Sequence, residues 1–224
     1  SPVLTFNRFQ EGGSMLGTVG MPIDGVTIKI AEDGEILAKG PNIMMGYYKE
    51  PEKTAEVMTD GWFMTGDVGT FVTAANGNKF LKITDRKKEL LKTSGGKYVA
   101  PAPIESKYRE SFFVEQIMVV GEGKKFVSAL MVPAYPVLHE WAKQNGITFK
   151  DNNELIANPK VSAKFQSVVD ELNPNFNHIE QIKKFKLLAN EWTVDSKELT
   201  PTMKIKRKVI SEKYAKEIAE IYGE

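Results

Sequence analysis

The spacing of apolar and polar residues predicts that the first part of the chain is rich in β-strands. Residues 26–30 (VTIKI) alternate apolar and polar side chains, as a half-buried strand does. A turn at residues 32–34 (EDG) and a return run at residues 35–39 complete a predicted hairpin. Asn76 and Gly77 have the turn chemistry of a second hairpin, which returns over residues 79–83.

From about residue 86 the pattern changes to a mixture of helices and strands. Apolar residues at positions 161, 165, 168, 169 and 172 form one face of a predicted helix, and positions 210, 214, 218 and 221 do the same for a single last helix. The other elements predicted along the chain are helices at residues 51–58, 103–110 and 136–144, the last stopped by Gly146, and strands at residues 117–120 and 127–132.

These elements predict an α+β fold with two domains. Residues 1–85 are expected to form a small distorted β-barrel or sheet subdomain. Residues 86–224 are expected to form a mobile α+β domain with a small central sheet. We place the boundary at residues 85–88, where the strand pattern ends.

Composition excludes several functional classes. The 224 residues are 42% hydrophobic and 26% charged, which is typical of globular proteins, and no apolar run approaches the roughly 20 residues of a membrane-spanning helix. The chain has no cysteine, which excludes disulfides, thiolate zinc sites and a cysteine nucleophile. With only His139 and His178 available, we expect no metal held by histidines.

The charge is nearly balanced overall but uneven along the chain. A net charge of +1 argues against a dedicated nucleic-acid-binding protein. Between residues 183 and 216, however, ten basic residues face only four acidic ones. Such a segment suits a polyanionic ligand or an anionic membrane surface, and a solvated lysine-rich face explains it equally well.

Two neighbouring motifs suit a ligand that carries ribose and phosphate. Residues 61–67 (GWFMTGD) place Asp67 after a glycine, and residues 85–97 (DRKKELLKTSGGK) contain Arg86 and end in a basic, glycine-containing run. A carboxylate can accept hydrogen bonds from both ribose hydroxyls, and an arginine adds donors. Glycines allow a backbone to approach a ligand closely.

Two further motifs complete a pattern that resembles a known enzyme family. They are residues 198–208 (ELTPTMKIKRK) and the segment from residue 34 to residue 48 (GEIL, then GPNIMMGYY). Together the four motifs resemble, in order, the C-terminal part of the AMP-forming adenylating enzymes, and specifically the long-chain fatty acyl-CoA synthetases. In that family a carboxylate attacks the α-phosphate of ATP to give acyl-AMP and pyrophosphate, and the thiol of coenzyme A then displaces AMP.

The resemblance implies a nucleotide-binding role for the first two motifs. Asp67 and Arg86 match the residues that contact the ribose of ATP and AMP, with Thr65 supporting the Asp67 turn. In isolation, Asp67 could equally be a turn aspartate that bonds its own backbone, and Arg86 a solvated side chain. Lys88 matches the family's hinge position, at which the C-terminal domain rotates between the half-reactions.

The resemblance also implies roles for the lysine- and glycine-rich motifs. Lys204 matches the catalytic lysine of adenylation, and the alternative is that it belongs to a basic patch with its neighbours. Many members have Ser-Gly before this lysine, where this chain has Thr-Met. A second set of residues matches the face used in thioester formation, although a plain tight turn would also explain it: Lys92, Ser94, Gly95 and Gly96.

The expected activity is that of an ATP-dependent long-chain fatty acid–CoA ligase, with ATP, Mg²⁺ and coenzyme A. The chain does not begin with Met, and Ser1 and Pro2 resemble the residues immediately after the family's Tyr-Gly-x-Thr-Glu motif, which is absent together with the phosphate loop. We therefore expect a fragment that is inactive alone, with the magnesium ligand in the missing part. We expect a cytoplasmic location and leave open peripheral membrane contact and a dimer.

Two alternatives to this activity remain. The chain could be a non-catalytic module that binds nucleotide, coenzyme A or an anionic membrane, or it could belong to a ligase for a different carboxylic acid.

Overall fold

The computed structural model describes residues 3–224, which divide into two compact units with the boundary between Leu90 and Leu91. The sequence pattern placed this boundary five residues earlier, at the end of the second hairpin. Ser1 and Pro2, which carried part of the expectation of a fragment, lie outside the described residues.

The first unit is mostly β, and its described elements follow the chain in this order: β1 (Thr5–Phe6), β2 (Met21–Pro22), β3 (Thr27–Ile30), β4 (Glu35–Lys39), α1 (Pro51–Val57), β5 (Met58–Thr59), β6 (Trp62–Thr73), β7 (Lys79–Arg86) and a 3-10 turn (Lys87–Glu89).

A five-stranded antiparallel sheet organises the first unit. Its order is β3-β4-β6-β5, and β7 pairs with the second half of β6. The two predicted hairpins, β3–β4 and β6–β7, are confirmed. Gly69 lies at a close approach of β6 and β7, because a Cβ there would stand 2.4 Å from the carbonyl oxygen of Lys82. A side chain at this position would push β6 and β7 apart.

The core of the first unit is small. Its buried apolar side chains are Val26, Ile36, Ala38, Phe80 and Leu81. Other large apolar side chains of this unit, including those of residues 9, 16 and 45, are exposed to solvent. Exposed apolar surface of this kind often marks an interface. The expected dimer stays a prediction.

The second unit mixes helices and strands in this order: β8 (Leu91–Lys92), β9 (Tyr98–Val99), α2 (Pro101–Tyr108), β10 (Val114–Val120), β11 (Ser128–Pro133), α3 (Tyr135–Gln144), α4 (Asn152–Ala157), α5 (Pro159–Leu172), a 3-10 turn (Asn173–Asn175), β12 (Phe185–Leu187), α6 (Arg207–Lys213) and α7 (Ala215–Tyr222).

A three-stranded sheet forms the centre of the second unit. The central strand β11 pairs antiparallel with β10 and parallel with β12. Every residue of β11 is buried, so this strand reads as a continuous apolar run rather than as an alternation. Helix α5 packs the predicted face of Val161, Phe165, Val168 and Val169 into the same core. The α+β fold class is therefore confirmed.

The last predicted helix is wrong in one respect, because the structure has two helices there. Tyr214 leaves the helical conformation, at φ −107° and ψ 29°, and separates α6 from α7. Ile210 and Ile221 are both buried on either side of this break. The apolar spacing continues across the break, so periodicity alone could not detect a departure at one residue.

Neither a membrane-spanning helix nor a metal cluster is found in the part of the chain that the structure describes. No helix within residues 3–224 is long and apolar enough to cross a bilayer. Within the same residues, no group of three or more His, Asp or Glu side chains is placed to hold a metal ion.

Candidate functional site

The motif that contains Asp67 forms a bulge inside a strand, and not the turn that the sequence suggested. Leu37 of β4 pairs with Met64 of β6, and Glu35 pairs with Val68. Residues 65–67 on β6 therefore lie opposite a single residue of β4. Such a bulge bends a strand and re-aims its side chains.

Local hydrogen bonds fix the shape of this bulge. The Thr65 hydroxyl donates to the carbonyl oxygen of Ile36 at 2.7 Å and accepts from the backbone N–H of Asp67 at 3.1 Å. Gly66 has φ +72°, a left-handed conformation that favours glycine. Its N–H donates to Oε1 of Glu35 at 2.9 Å. Thr65 therefore stabilises the bulge that carries Asp67, and its part in binding a nucleotide stays a prediction.

Asp67 and Arg86 are brought together by strand pairing. They lie opposite each other on β6 and β7, and Nε of Arg86 is 2.8 Å from Oδ1 of Asp67. The Asp67 side chain is 26% exposed and that of Arg86 is 68% exposed. The carboxylate is thus oriented by a cation but still open to solvent. This arrangement can accept hydroxyl donors from an external ligand, as a ribose would require.

Glu35 is a residue of this region whose role sequence reasoning missed. Its carboxylate is buried, and Oε2 accepts a hydrogen bond from the Lys87 ammonium at 2.7 Å. Asp33 lies 2.6 Å from the same ammonium. Hydrogen bonds to Asp33 and Glu35 raise the pKa of Lys87, and the bond from Lys87 lowers the pKa of Asp33. The sequence gives little sign of this cluster beyond the acidic residues near Gly34.

The predicted hinge residue follows this cluster directly. Lys88 is exposed and lies in the 3-10 turn Lys87–Glu89, which ends one residue before the division between the two units. A hinge is formed by a few residues that absorb a change in backbone dihedral angles. The position of Lys88 is compatible with that role, which stays a prediction.

The glycine pair of the second motif forms a hydrogen-bonded turn between β8 and β9. The backbone N–H of Thr93 donates to Lys97 O at 2.9 Å, and Gly96 N–H donates to Thr93 O at 2.9 Å. Gly96 has φ +73°, so it needs the freedom of glycine. At Gly95 a Cβ would meet only the Thr93 hydroxyl, at 4.0 Å. The outer side of Gly95 is therefore open for a ligand.

The same turn is tied to a second loop of its unit. Ser94 N–H donates to Lys124 O at 2.9 Å, and Lys92 N–H donates to a carboxylate oxygen of Glu122 at 2.8 Å. The ammonium of Lys92 lies 5.6 Å from the ring centre of Tyr98. These bonds hold the backbone of the turn in place while its outer surface, including Ser94, remains exposed.

Lys204 ends a tight turn whose geometry the sequence did not reveal. Thr200 N–H donates to Lys204 O at 2.8 Å, and Lys204 N–H donates back to the Thr200 hydroxyl at 3.0 Å. Met203, which stands where many family members have glycine, has φ +61°. A methionine here adopts a left-handed conformation that glycine would adopt at lower cost. Lys204 itself is exposed.

The segment on either side of Lys204 is anchored. Lys206 N–H donates to Glu198 O at 2.7 Å, which closes the base of the turn. Arg207 is 2.7 Å from Oε2 of Glu105, and Oε1 of this buried carboxylate accepts the Val119 N–H at 2.8 Å. Glu105 therefore has a structural role, because it ties Arg207 to the backbone of β10.

Much of the basic run has partners inside the unit. Glu198, whose side chain is fully buried, pairs with Lys213. Burial acts to raise the pKa of Glu198, but hydrogen bonds from Lys213 and Ser196 outweigh it, so its pKa lies below the usual value. Lys186 pairs with Glu220 at 2.7 Å. Fewer positive charges of residues 183–216 are therefore free to attract an anionic surface than the composition indicated. Membrane contact stays a prediction.

Lys204 combines exposure with the absence of an ion pair. Within residues 3–224, the ion pairs that the structure shows include neither Lys204 nor Lys206, whereas Arg207, Lys208 and Lys213 each have one. Lys206 is partly buried, and Lys204 is exposed. An exposed ammonium on an anchored turn is available for a ligand. This distinction favours a specific role for Lys204 over membership of a uniform basic patch.

A family model and several curated proteins match this chain. Residues 88–224 match the family described as the AMP-binding enzyme C-terminal domain. The long-chain-fatty-acid–CoA ligase FadD15 of Mycobacterium tuberculosis is 41% identical over 209 residues, covering 93% of this chain and 34% of the relative. Human long-chain-fatty-acid–CoA ligase 6 is 35% identical over 228 residues, covering 92% of this chain and 31% of the relative. The chain thus spans about a third of the length of these relatives.

Solved structures show the same fold. The adenylation domain of a carboxylate reductase from Mycobacterium chelonae has a TM-score of 0.65 at 25% identity, covering 94% of this chain and 34% of that one. A didomain of the carboxylic acid reductase of Segniliparus rugosus, solved in complex with AMP, has the same TM-score and identity, covering 91% and 28%.

Proposed function

The chain belongs to the AMP-binding enzymes, whose C-terminal domain its residues 88–224 match, and we propose on that premise that it forms the C-terminal part of an ATP-dependent long-chain fatty acid–CoA ligase. The names of the curated relatives support the fatty acyl substrate. The acyl-binding residues would lie in the two thirds of the relatives that this chain does not span.

In the first half-reaction, the fatty acid carboxylate attacks the α-phosphate of ATP and pyrophosphate leaves. Asp67 would accept hydrogen bonds from the ribose hydroxyls, with Arg86 holding its carboxylate in place. Lys204 would place its ammonium beside the reacting phosphoryl and carboxylate groups. A fixed cation at this point stabilises charge that develops in the transition state.

In the second half-reaction, the thiol of coenzyme A attacks the acyl carbon and AMP leaves. The open side of Gly95 would let the pantetheine chain pass close to the backbone of residues 92–96. Rotation of the C-terminal domain at Lys88 would replace Lys204 at the nucleotide with the turn of residues 92–96.

Magnesium is a separate case. The described residues provide no cluster of carboxylates for it, and its ligand would lie in the part of the relatives that this chain does not span.

The observation that carries the proposal is the exposed Lys204 ammonium on an anchored turn, in a motif where Arg207 is ion-paired and Lys206 is partly buried. Its test uses this chain fused behind the part of the M. tuberculosis relative that it does not span. Fatty-acid-dependent exchange of pyrophosphate into ATP reports the first half-reaction. We expect Lys204→Ala to lower the exchange rate by about 10²–10³-fold.

A matched control separates this role from charge in general. Lys208 belongs to the same motif and is 88% exposed, with a long 4.0 Å contact to Glu212. Lys208→Ala should change the exchange rate by less than about threefold, because an exposed pair of this kind contributes little. Full exchange in Lys204→Ala would refute the assignment. A fusion that lacks exchange, while the relative itself is active in the same assay, would refute the proposed activity.

A further inference from the structure

Glu35 contacts two candidate functional segments with one buried carboxylate. Its side chain is 6% exposed. Oε1 accepts the N–H of Gly66 at 2.9 Å, inside the bulge that orients Asp67. Oε2 accepts the ammonium of Lys87 at 2.7 Å, on the residue directly before the proposed hinge at Lys88. The two oxygens of one carboxylate therefore connect the bulge with the start of the hinge.

We propose that Glu35 is a positioning residue that sets the Asp67 bulge through one oxygen and holds Lys87 still through the other, so that rotation begins at Lys88. The inference rests on the proposed function. It adds a residue to which neither the family match nor the sequence assigned a role. Glu35 does not touch the nucleotide in this account, and it acts only through Gly66 and Lys87.

The bulge needs this acceptor because of where Gly66 lies. Residue 36 of β4 cannot pair with every backbone group of residues 65–67, because one residue faces three. Gly66 is partly buried, and an N–H that is shielded from water costs stability when it has no acceptor. The Glu35 carboxylate supplies the acceptor from the neighbouring strand and thereby stabilises the left-handed Gly66. The direction of the Asp67 side chain depends on this conformation.

The hinge needs the anchor for a different reason. A rotation about one or two residues is reproducible only when the chain on one side is fixed. Lys87 is held by two carboxylates, Glu35 at 2.7 Å and Asp33 at 2.6 Å. Glu35 is the buried partner, and leaving a buried carboxylate without its cation is strongly unfavourable. Lys87 should therefore stay bound in both rotation states, and the change in dihedral angles should fall on Lys88.

The two contacts can be removed separately. Glu35→Gln keeps an oxygen that can accept the Gly66 N–H but removes the charge that holds Lys87. Lys87→Met removes the anchor from the other side and leaves the Gly66 bond intact. Glu35→Ala removes both contacts. Lys53→Met is the matched control, because Lys53 forms an exposed ion pair with Glu50 at 3.0 Å in the same unit.

The kinetic test uses the fusion protein and compares the two half-reactions. Lys87→Met and Glu35→Gln should lower acyl-CoA formation by about fivefold or more, while pyrophosphate exchange and KM for ATP stay within about twofold. Glu35→Ala should also raise KM for ATP, by about tenfold, because Asp67 is no longer oriented. Lys53→Met should change none of these by more than about twofold.

A second measurement judges the positioning role without activity. Hydrogen–deuterium exchange on the chain itself should accelerate at residues 86–90 in Lys87→Met, and at both residues 64–69 and residues 86–90 in Glu35→Ala. If the unmodified fusion shows no pyrophosphate exchange, the proposed function fails. The hydrogen–deuterium exchange data then decide alone whether Glu35 positions the two segments. Unchanged protection of both segments in Glu35→Ala would overturn the inference. Should Glu35→Ala not fold, unchanged protection of residues 86–90 in Lys87→Met would overturn the hinge anchor.

Discussion

Met203 offers a direct test of how the Lys204 turn is built. Its φ of +61° is a left-handed conformation, which costs a residue with a Cβ about 1–2 kcal/mol. The side chain is 65% exposed, so packing does not compensate for much of this cost. We expect the usual order of alanine and glycine to be reversed at this position.

The comparison of Met203→Ala with Met203→Gly isolates the backbone contribution. Both variants lose nearly the same side-chain contacts. At an ordinary position the alanine variant would be the more stable by about 0.5–1 kcal/mol, since glycine loses more backbone entropy on folding. Here the left-handed cost of alanine opposes this difference and exceeds it. The glycine variant should therefore be more stable by about 0.5–1 kcal/mol, or about 1–4 °C in Tm.

Thermal and urea unfolding followed by circular dichroism measure this difference. Thr202 provides the control in the same turn, because it is exposed and has no left-handed backbone. Its alanine and glycine variants both lose the contact between its hydroxyl and that of Thr200, and the alanine variant should be the more stable. If alanine is also the more stable residue at position 203, the turn does not have the strain that we assign to it.

Three single contacts give further predictions. Gly95→Ala should leave stability within about 0.5 kcal/mol, because its Cβ has space; acyl-CoA formation should fall while pyrophosphate exchange does not, and equal loss of both would contradict the assigned role. Gly69→Ala should destabilise the first unit by about 2 kcal/mol or more in urea unfolding, since its Cβ would lie 2.4 Å from Lys82 O. Lys213 lowers the pKa of Glu198, so this pair stabilises the fold above the unfolded carboxyl pKa of about 4.3, and the contribution is lost as pH falls through the folded pKa. Lys213→Met should reduce that loss in acid unfolding, and an unchanged pH profile would argue against the pair.

The elements that the sequence predicted well are those whose signal is local. The β3–β4 hairpin follows from the alternation over residues 26–30, the turn at residues 32–34 and the return run at residues 35–39, all of which are local signals. Helix α5 follows from the apolar face that includes Val161 and Phe165. The pairing of Asp67 with Arg86 also depends on one hairpin, so two short motifs were enough to place these residues in one site.

The features that the sequence did not predict depend on distant contacts. The bulge at residues 65–67 arises from the register between β4 and β6, which no local pattern encodes. Glu35 and Lys87 are 52 residues apart. Strand β12 has only three residues and pairs parallel to β11, so its apolar signal is too short to be recognised. The bulge and the Glu35–Lys87 pair affect the candidate site more than they affect the fold class.

The motif at residues 198–208 illustrates why counting charges could not identify the catalytic candidate. Glu198 and Arg207 are used within the fold, where they bind Lys213 and Glu105 and fix the two ends of the segment. Ionic groups that are buried and paired specify geometry more than they add stability. The lysine between them is held in position by its backbone while its ammonium remains in solvent. A cation that must reach a phosphate needs a fixed backbone and a free charged group. In this motif the ion pairs of Glu198 and Arg207 fix the backbone, and the Lys204 ammonium is the free charged group.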